Sequence, residues 1–147
     1  MADHLTPEKR SWNMAHIHSK DTSPEVMVRK YLFSQGFRYR KNVSSLPGKP
    51  DIVLPKYHSI IFVHGCFWHG HPGCKRANIP KSREEYWIPK LSRNIDNDKK
   101  HCSELISMGW KVIVIWECEL KKKTFHDTMN RVIHQLLEES NAYNNSQ

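Results

Sequence analysis

The fold is organised around residues 60–74, which read Ile60-Ile61-Phe62-Val63-His64-Gly65-Cys66-Phe67-Trp68-His69-Gly70-His71-Pro72-Gly73-Cys74. The apolar run at the start of this stretch predicts a buried strand. The strand leads into a loop that holds three histidines, two cysteines and two adjacent aromatic residues. A core segment has no use for this mixture, so the loop is a candidate functional site.

The loop has the ligand spacing of a metal site. Cys66, His71 and Cys74 form a C-x4-H-x2-C pattern, and thiolates with an imidazole suit tetrahedral zinc. A structural zinc site needs a fourth ligand, and Cys118 is the better candidate because it follows a strand-like run. Cys102, in a polar and helix-like stretch, is the alternative. Four unrelated reduced cysteines remain the simpler interpretation, but the clustered spacing favours zinc.

Composition limits the class of protein. A chain of 147 residues suits one domain with a substantial core. The formal net charge of +8 favours a polyanionic partner such as nucleic acid. No apolar run approaches the roughly 18 residues of a membrane span, and the polar start is unlike a signal peptide. We therefore expect a cytoplasmic protein without a membrane partner, in which cysteines are metal ligands more often than disulfide partners.

A helix is expected before the first strands. Thr22-Ser23-Pro24-Glu25 predicts its start, with a hydroxyl cap and an early proline, and Gly36 ends it. Glu25 falls on the apolar side of this helix. There Glu25 is either part of a functional site or only a negative charge that stabilises the positive end of the helix dipole. After this helix, Phe37 to Arg40 alternates apolar and basic residues like an exposed strand.

Two short strands joined by a tight turn predict an antiparallel hairpin. The rigid turn 46–50 delivers Asp51 to the start of the first strand, and Pro55 ends that strand. The second strand, 59–63, then brings Asp51 next to the Val63-His64 pair. A carboxylate near a main-chain carbonyl suits Mg²⁺, and an imidazole beside it can take a proton from an attacking water. Local sequence alone equally allows Asp51 to be a turn residue.

The second half of the chain predicts helices around one strand. Ser82-x-x-Glu85 has the pattern of a capping box, and Pro89 is expected to break or restart the helix. The β-branched run Lys111–Trp116 predicts a central strand covered on both faces.

Helical segments are also predicted towards the two ends of the chain. Residues 7–18 predict a short helix or arm with Met14 and Ile17 on one face. Residues 141–147 are expected to be disordered. The final helix is predicted over 124–139, and its expected inward residues are Val132, Ile133, Leu136 and Leu137. The whole order of elements predicts one α/β domain, 1–147, with a mixed sheet.

Three motifs carry a family resemblance. They are Pro50-Asp51, then Phe62-Val63-His64-Gly65-Cys66-Phe67-Trp68-His69 with His71 and Cys74, and Trp116-Glu117-Cys118. Together they resemble the very short patch repair (Vsr) endonucleases, over a match that runs from about Ser11 to Cys118 with a similar helical tail. The resemblance implies a restriction-endonuclease-like fold of the PD-(D/E)XK superfamily, a three-layer α/β/α sandwich with a structural zinc site. It also implies a nickase that cuts 5′ of the mismatched thymine in a T:G pair, which arises when 5-methylcytosine deaminates.

The resemblance implies roles for individual residues. Asp51 would ligate two Mg²⁺ ions, with the main-chain carbonyl of Val63 as a further ligand. His69 matches the general base, and Asp98 is the residue that would orient it. The neighbours implied in the active site are His64 and Glu25. The implied zinc ligands are Cys66, His71, Cys74 and Cys118. Family members tend to have one residue between the last two local ligands, whereas this chain has Pro72-Gly73, a pair expected to form a turn.

The aromatic residues have two interpretations. The resemblance implies that Phe67, Trp68 and Trp87 intercalate between base steps, with Met14 and Ile17 of the arm, residues 1–20, entering from the opposite groove. From the residues alone, Phe67 and Trp68 would be assigned to the core, since buried aromatic side chains are commoner than wedges.

Two other functions stay open at this point. One is a zinc-stabilised DNA-binding module without catalysis, and the other is a restriction-type nuclease that cuts intact duplex. Intact duplex offers no weak step for a wedge, which disfavours the second. The expected partner is double-stranded DNA with a T:G mismatch, bound by a monomer. The sequence leaves open which bases flank the mismatch and whether a MutL-type mismatch-repair protein assists.

Overall fold

The part of the chain that the structure describes forms a four-stranded mixed sheet accompanied by three α-helices. A computed structural model describes residues 22–145, with side chains to residue 138. The sheet has the order β1-β2-β3-β4, antiparallel except for the parallel pair β3 and β4. The elements are α1 (Ser23–Ser34), β1 (Arg40–Lys41), β2 (Ile52–Leu54), β3 (Ser59–His64), α2 (Glu84–Ser107), β4 (Lys111–Trp116) and α3 (Phe125–Asn145).

The sheet carries a hydrophobic core on each face. Successive side chains of a strand point to opposite faces, so Ile61 and Val63 of β3 pack with α1 and α3. Ile60 and Phe62 instead pack against Leu105 of α2. All six residues of β3 are buried. The arrangement confirms the three-layer α/β/α sandwich with a central mixed sheet.

Helix α1 and the hairpin form as their sequences predict. Thr22 is the N-cap of α1, and its hydroxyl accepts a hydrogen bond from the backbone N–H of Glu25 at 3.4 Å. Gly36 follows the helix in the left-handed region, at φ +91°, where glycine pays no steric penalty. Strands β2 and β3 pair with Ile52 opposite Ile61. This register places the first residue of β2 beside the middle of β3, so the residues just before β2 lie beside the last residues of β3.

Two predicted strand features are wrong. The strand expected at Phe37 to Arg40 is only Arg40–Lys41, because Phe37 turns into the core and is 7% exposed. Lys111–Trp116 does form β4, but it lies at the edge of the described sheet, next to β3 alone. The helices cover much of its side-chain surface, so a β-branched run does not distinguish this edge strand from a central one.

Three predicted helix features are also wrong. Helix α2 runs through Pro89 without a break. A proline near the helix start removes one backbone hydrogen bond, and burial of Leu91 and Leu105 farther along holds the helix on the sheet. The capping box does not form, because Ser82 lies within a 3₁₀ turn and Arg83 is the N-cap. In α3, Leu137 is 55% exposed while Leu136 is buried.

The ends of the chain are only partly described. The arm predicted for residues 7–18, with Met14 and Ile17, lies outside the described residues. Helix α3 continues to Asn145, past the expected end at residue 139, and the disorder expected for 141–147 stays a prediction. Within residues 22–145, no helix is long and apolar enough to cross a membrane.

Candidate active site and metal cluster

Asp51 joins the start of β2 to the end of β3. Its carboxylate oxygen Oδ2 accepts a hydrogen bond from the backbone N–H of Val63 at 2.7 Å. Because β2 and β3 are antiparallel and Ile52 pairs with Ile61, Asp51 falls opposite Phe62, next to Val63. The predicted proximity of Asp51 to the Val63-His64 pair is therefore confirmed.

A second carboxyl group, that of Glu25, lies beside Asp51. Glu25 is 3% exposed, and an oxygen of its carboxylate pairs with the Arg29 guanidinium at 3.4 Å. Burial raises the pKa of Asp51 to about 7, and the charge of Glu25 adds to the rise, while the N–H of Val63 lowers it. The structure thus places Glu25 beside Asp51 in the cleft, and its role in a functional site stays a prediction. Arg29 was missed, although its position four residues after Glu25 on a helix was a usable signal.

A histidine pair and an aspartate form the other half of the site. Nδ1 of His69 lies 2.7 Å from Oδ2 of Asp98. In the tautomer in which Nδ1 donates to this carboxylate, Nε2 keeps its lone pair and can accept a proton. The His64 ring stacks on His69, with 3.8 Å between centroids and 4° between planes. Burial lowers the pKa of His64 to about 4, and the neighbouring His69 contributes to the fall. His64 is therefore neutral at physiological pH.

The stacked rings are poorly placed to chelate one metal ion together. Donor atoms of His64, His69 and Asp98 lie within 4.8 Å of one another. However, an imidazole lone pair lies in the plane of its ring, and the two ring planes are parallel and stacked. One ion cannot lie in both planes, so this arrangement is better suited to handling a proton than to holding a metal.

Two adjoining clefts give access to these groups. One, of about 380 Å³, lies between the start of α1 and the loop after β3, and Phe67 and Trp68 line it. The other, of about 190 Å³, is lined by Asp51, Asp98 and Lys49 among others. The clefts share the lining residues Glu25, Val63, His64 and His69. A polymer that spans both clefts would therefore meet the carboxyl groups, the histidines and the aromatic side chains.

The loop after β3 supplies three residues of a Cys₃His cluster. The ligand atoms of its four residues lie within 4.8 Å of one another, and the residues are Cys66, His71, Cys74 and Cys118. The fourth member comes from the turn after β4, and Cys102 lies outside the cluster. Sγ of Cys118 is 3.4 Å from Nδ1 of His71. Burial raises the pKa of the Cys66 thiol to about 12, so a thiolate there needs a nearby cation. The donor set could hold a tetrahedral zinc ion.

Contacts around the cluster fix the loop between the ends of β3 and β4. The backbone N–H of Cys66 donates to Oε1 of Glu117 at 3.2 Å, and the His71 ring stacks on Trp116 at 4.1 Å. Gly73 has φ +72°, so the turn accommodates the additional residue between the two ligands. Glu117 was part of the motif that we recognised, but its contact with Cys66 has no sequence signal.

Three aromatic side chains form a separate cluster beside the site. Phe67, Trp68 and Trp87 contact one another edge to face, with centroids 5.0 to 5.7 Å apart. They are half-buried, and within the described residues they belong to neither core. Assignment of Phe67 and Trp68 to the core, as the residues alone suggested, is therefore wrong. Asn94 of α2, which the sequence did not single out, donates from Nδ2 to the carbonyl oxygen of Trp68 at 2.9 Å.

The sandwich, the carboxyl and histidine groups at one end of the sheet, and the Cys₃His cluster define a restriction-endonuclease-like protein. The family model described as DNA mismatch endonuclease Vsr matches residues 2–76. The chain is 52% identical over 137 residues to a type II nicking enzyme of Neisseria meningitidis serogroup A, a match that covers 92% of this chain and 97% of the relative. It is 40% identical over 121 residues to the DNA mismatch endonuclease Vsr of Escherichia coli, covering 82% of this chain and 77% of the relative. The chain therefore belongs to the DNA mismatch endonuclease Vsr family.

Proposed function

We propose that this protein is a Mg²⁺-dependent endonuclease that nicks double-stranded DNA 5′ of the mispaired thymine in a T:G pair. The observation that carries the proposal is the convergence of Asp51, Glu25 and the His69–Asp98 pair on the adjoining clefts. The aromatic cluster at the same clefts supports mismatch recognition. The names of the relatives, mismatch endonuclease and nicking enzyme, support cleavage of one DNA strand.

The oxygen donors at the site suit Mg²⁺, a hard cation. Asp51 would hold two Mg²⁺ ions, with the main-chain carbonyl of Val63 as a further ligand. Glu25 is near enough to interact with Asp51 and can orient the water molecules that such ions keep. Bound Mg²⁺ stabilises the negative charge that develops on the phosphate and on the leaving oxygen.

His69 is the proposed general base. Its Nδ1–H faces Asp98, so Nε2 can accept the proton of the water that attacks phosphorus. Asp98 fixes the ring orientation and stabilises the imidazolium that forms. Neutral His64, stacked on the same ring, keeps the base in place without adding a competing positive charge.

Replacing Asp98 should therefore slow cleavage rather than prevent binding. For Asp98→Asn we expect the single-turnover nicking rate to fall by about 10- to 100-fold, because the imidazolium loses its charged partner. The pH at which the rate is half-maximal should also change. The measurement is the nicking rate of the variant across the pH range. Asp96→Asn is the control, because Asp96 lies on the exposed side of α2. A rate and pH profile equal to those of the control would contradict the role.

The aromatic cluster is the proposed wedge. Inserting apolar side chains between base steps costs a few kcal/mol of stacking per step, and a mispaired step is already weakened. Phe67 and Trp68 extend from a loop that the Cys₃His cluster closes, and Trp87 contacts both from α2. Met14 and Ile17 of the arm, which lie outside the described residues, are proposed to act from the opposite groove.

Removing one wedge residue should lower discrimination. For Trp87→Ala we expect the preference for a T:G duplex over a T:A duplex to fall by about tenfold. A tenfold change is about 1.4 kcal/mol, which lies near the low end of the free energy that one aromatic ring contributes by stacking on a base. Phe33→Ala is the control, because Phe33 is an aromatic residue of α1 that is 56% exposed and contacts none of the three rings of the cluster. Equilibrium binding to both duplexes measures the effect. An unchanged preference in Trp87→Ala would exclude this residue from the wedge.

The remaining parts of the proposal concern the cluster and the cellular setting. We propose that Cys66, His71, Cys74 and Cys118 hold a structural zinc ion. We also propose that the enzyme acts as a monomer in the bacterial cytoplasm, on DNA of the nucleoid. Cooperation with a MutL-type mismatch-repair protein is open to the same nicking assay, run with and without that protein.

The test of the function is nicking of a short duplex with one central T:G mismatch in varied flanks. Each strand is labelled separately, and the reaction is run with Mg²⁺ and with chelator. A Mg²⁺-dependent cut in the thymine strand alone, absent from the T:A duplex, is the expected result. Mismatch binding without any cut would instead identify a binding module. Cleavage of both strands in paired DNA would identify a restriction-type nuclease.

A further inference from the structure

A lysine that the proposed mechanism does not use lines the cleft beside Asp51. Among the residues that line the 190 Å³ cleft with Asp51, Lys49 is the one lysine or arginine. Hydrolysis of a phosphodiester adds negative charge to the phosphate, and a positioned cation stabilises that charge. We propose that Lys49 is a DNA-binding residue of the cleft whose ammonium contacts a phosphate at or next to the cut. This inference rests on the proposed nuclease function.

The backbone of Lys49 is held in a conformation that its residue type disfavours. Lys49 has φ +48°, in the left-handed region where side chains other than glycine are strained by about 1 kcal/mol or more. It also precedes Pro50, and a residue before proline is normally restricted to extended conformations. Such strain persists only where the surrounding structure imposes it, and it is concentrated at functional sites.

The contacts that impose this conformation are visible on both sides of the turn. The backbone N–H of Lys49 donates to the carbonyl of Leu46 at 3.1 Å. The next two carbonyl groups accept hydrogen bonds from the backbone of residues 42–43, at 3.2 and 3.0 Å. On the other side, a Cβ added to Gly48 would lie 3.0 Å from Cβ of His101 on α2. The turn is thus held against the two residues that follow β1 and against α2, so the backbone of Lys49 has a defined position beside Asp51.

The charge of Lys49 is not committed elsewhere in the described part of the chain. Its side chain is exposed, and none of the ion pairs within residues 22–138 includes it. A lysine that only served solubility could occupy any surface position. This one lines the cleft that holds Asp51, His69 and Asp98, which favours a phosphate contact.

The test compares Lys49→Gly, Lys49→Arg and Lys56→Ala in the full chain. Glycine adopts a positive φ without strain, so Lys49→Gly removes the ammonium while keeping the turn, which a thermal melt checks. Lys56→Ala is the control, because Lys56 is an exposed lysine at the far end of the same hairpin. Single-turnover nicking and salt-dependent binding without Mg²⁺ are both measured on a T:G duplex.

For Lys49→Gly we expect nicking to fall by about 10- to 100-fold. The slope of log affinity against log salt should decrease by about one, the contribution of one phosphate contact. Lys49→Arg should restore most of both quantities, and Lys56→Ala should change neither. Equal values for Lys49→Gly and Lys56→Ala would overturn the inference.

Neutral phosphates locate the contact. Methylphosphonates are placed one at a time at the phosphates that flank the cut, and binding is measured for the wild type and for Lys49→Gly. At the phosphate that Lys49 contacts, the neutral linkage should remove the difference between the two proteins. An identical difference at every position would contradict a local contact. If the wild type bound the mismatch without nicking, the proposed function would fail, and the salt slopes and methylphosphonates would still decide the role of Lys49.

Discussion

Asp51→Asn is expected to abolish strand nicking while leaving binding to a T:G duplex within about twofold of the wild type. The expected fall in rate is about 1,000-fold or more, equivalent to roughly 4 kcal/mol of transition-state stabilisation. Asp51 is the side chain proposed to hold the catalytic metal. Asparagine keeps an oxygen that can accept the hydrogen bond from Val63, so the hairpin should remain intact.

Single-turnover nicking and equilibrium binding, measured on the same preparation, separate the two effects. Asp127→Asn is a suitable control, because Asp127 is an exposed aspartate on α3, away from the clefts. A loss of binding equal to the loss of nicking would indicate a folding defect, which a thermal melt would reveal. Nicking retained at more than a tenth of the wild-type rate would exclude Asp51 as the essential metal ligand.

Cys118→Ser is expected to lower zinc content and thermal stability together. Cys118 joins the turn after β4 to the three ligands of the loop after β3. A structural zinc site contributes its binding free energy directly to folding. Changes to groups that only contact the ligands weaken metal affinity by up to about 100-fold. Losing a ligand itself should therefore weaken zinc binding by more than this. Zinc per chain, measured by elemental analysis after dialysis, and the melting temperature should both fall.

Cys102→Ser is the matched control for this prediction. Cys102 is partly buried on α2 and lies outside the cluster, so its replacement should leave zinc content unchanged. Unchanged zinc in Cys118→Ser, combined with a loss in Cys102→Ser, would reverse the assignment of the fourth ligand. Removing the metal from the wild type with a chelator should reproduce the lower stability of Cys118→Ser.

Local signals were sufficient for much of the fold. The Thr22 cap, the proline-bounded hairpin and the β-branched run of β4 depend on backbone preferences that act over a few residues, and all three form where expected. The proximity of Asp51 to Val63 followed from the antiparallel pairing of a short hairpin. The spacing of three ligands in one loop likewise depends only on nearby residues.

Other features depend on packing between distant parts of the chain. The exposure of Leu137 and the position of β4 at the edge of the described sheet depend on which elements pack together. No spacing rule predicts that the rings of His64 and His69 stack in parallel. The resemblance to a family supplied the pairing of His69 with Asp98, since 29 residues separate the two in the chain.

The loop that the Cys₃His cluster closes contains both the aromatic pair Phe67-Trp68 and His69, within three consecutive positions. In the proposed function, the aromatic residues that inspect DNA and the histidine that acts as general base lie in the same loop, and the Cys₃His cluster holds that loop in place. A chain starved of zinc, or newly synthesised and not yet metallated, would lose damage sensing and hydrolysis in the same event.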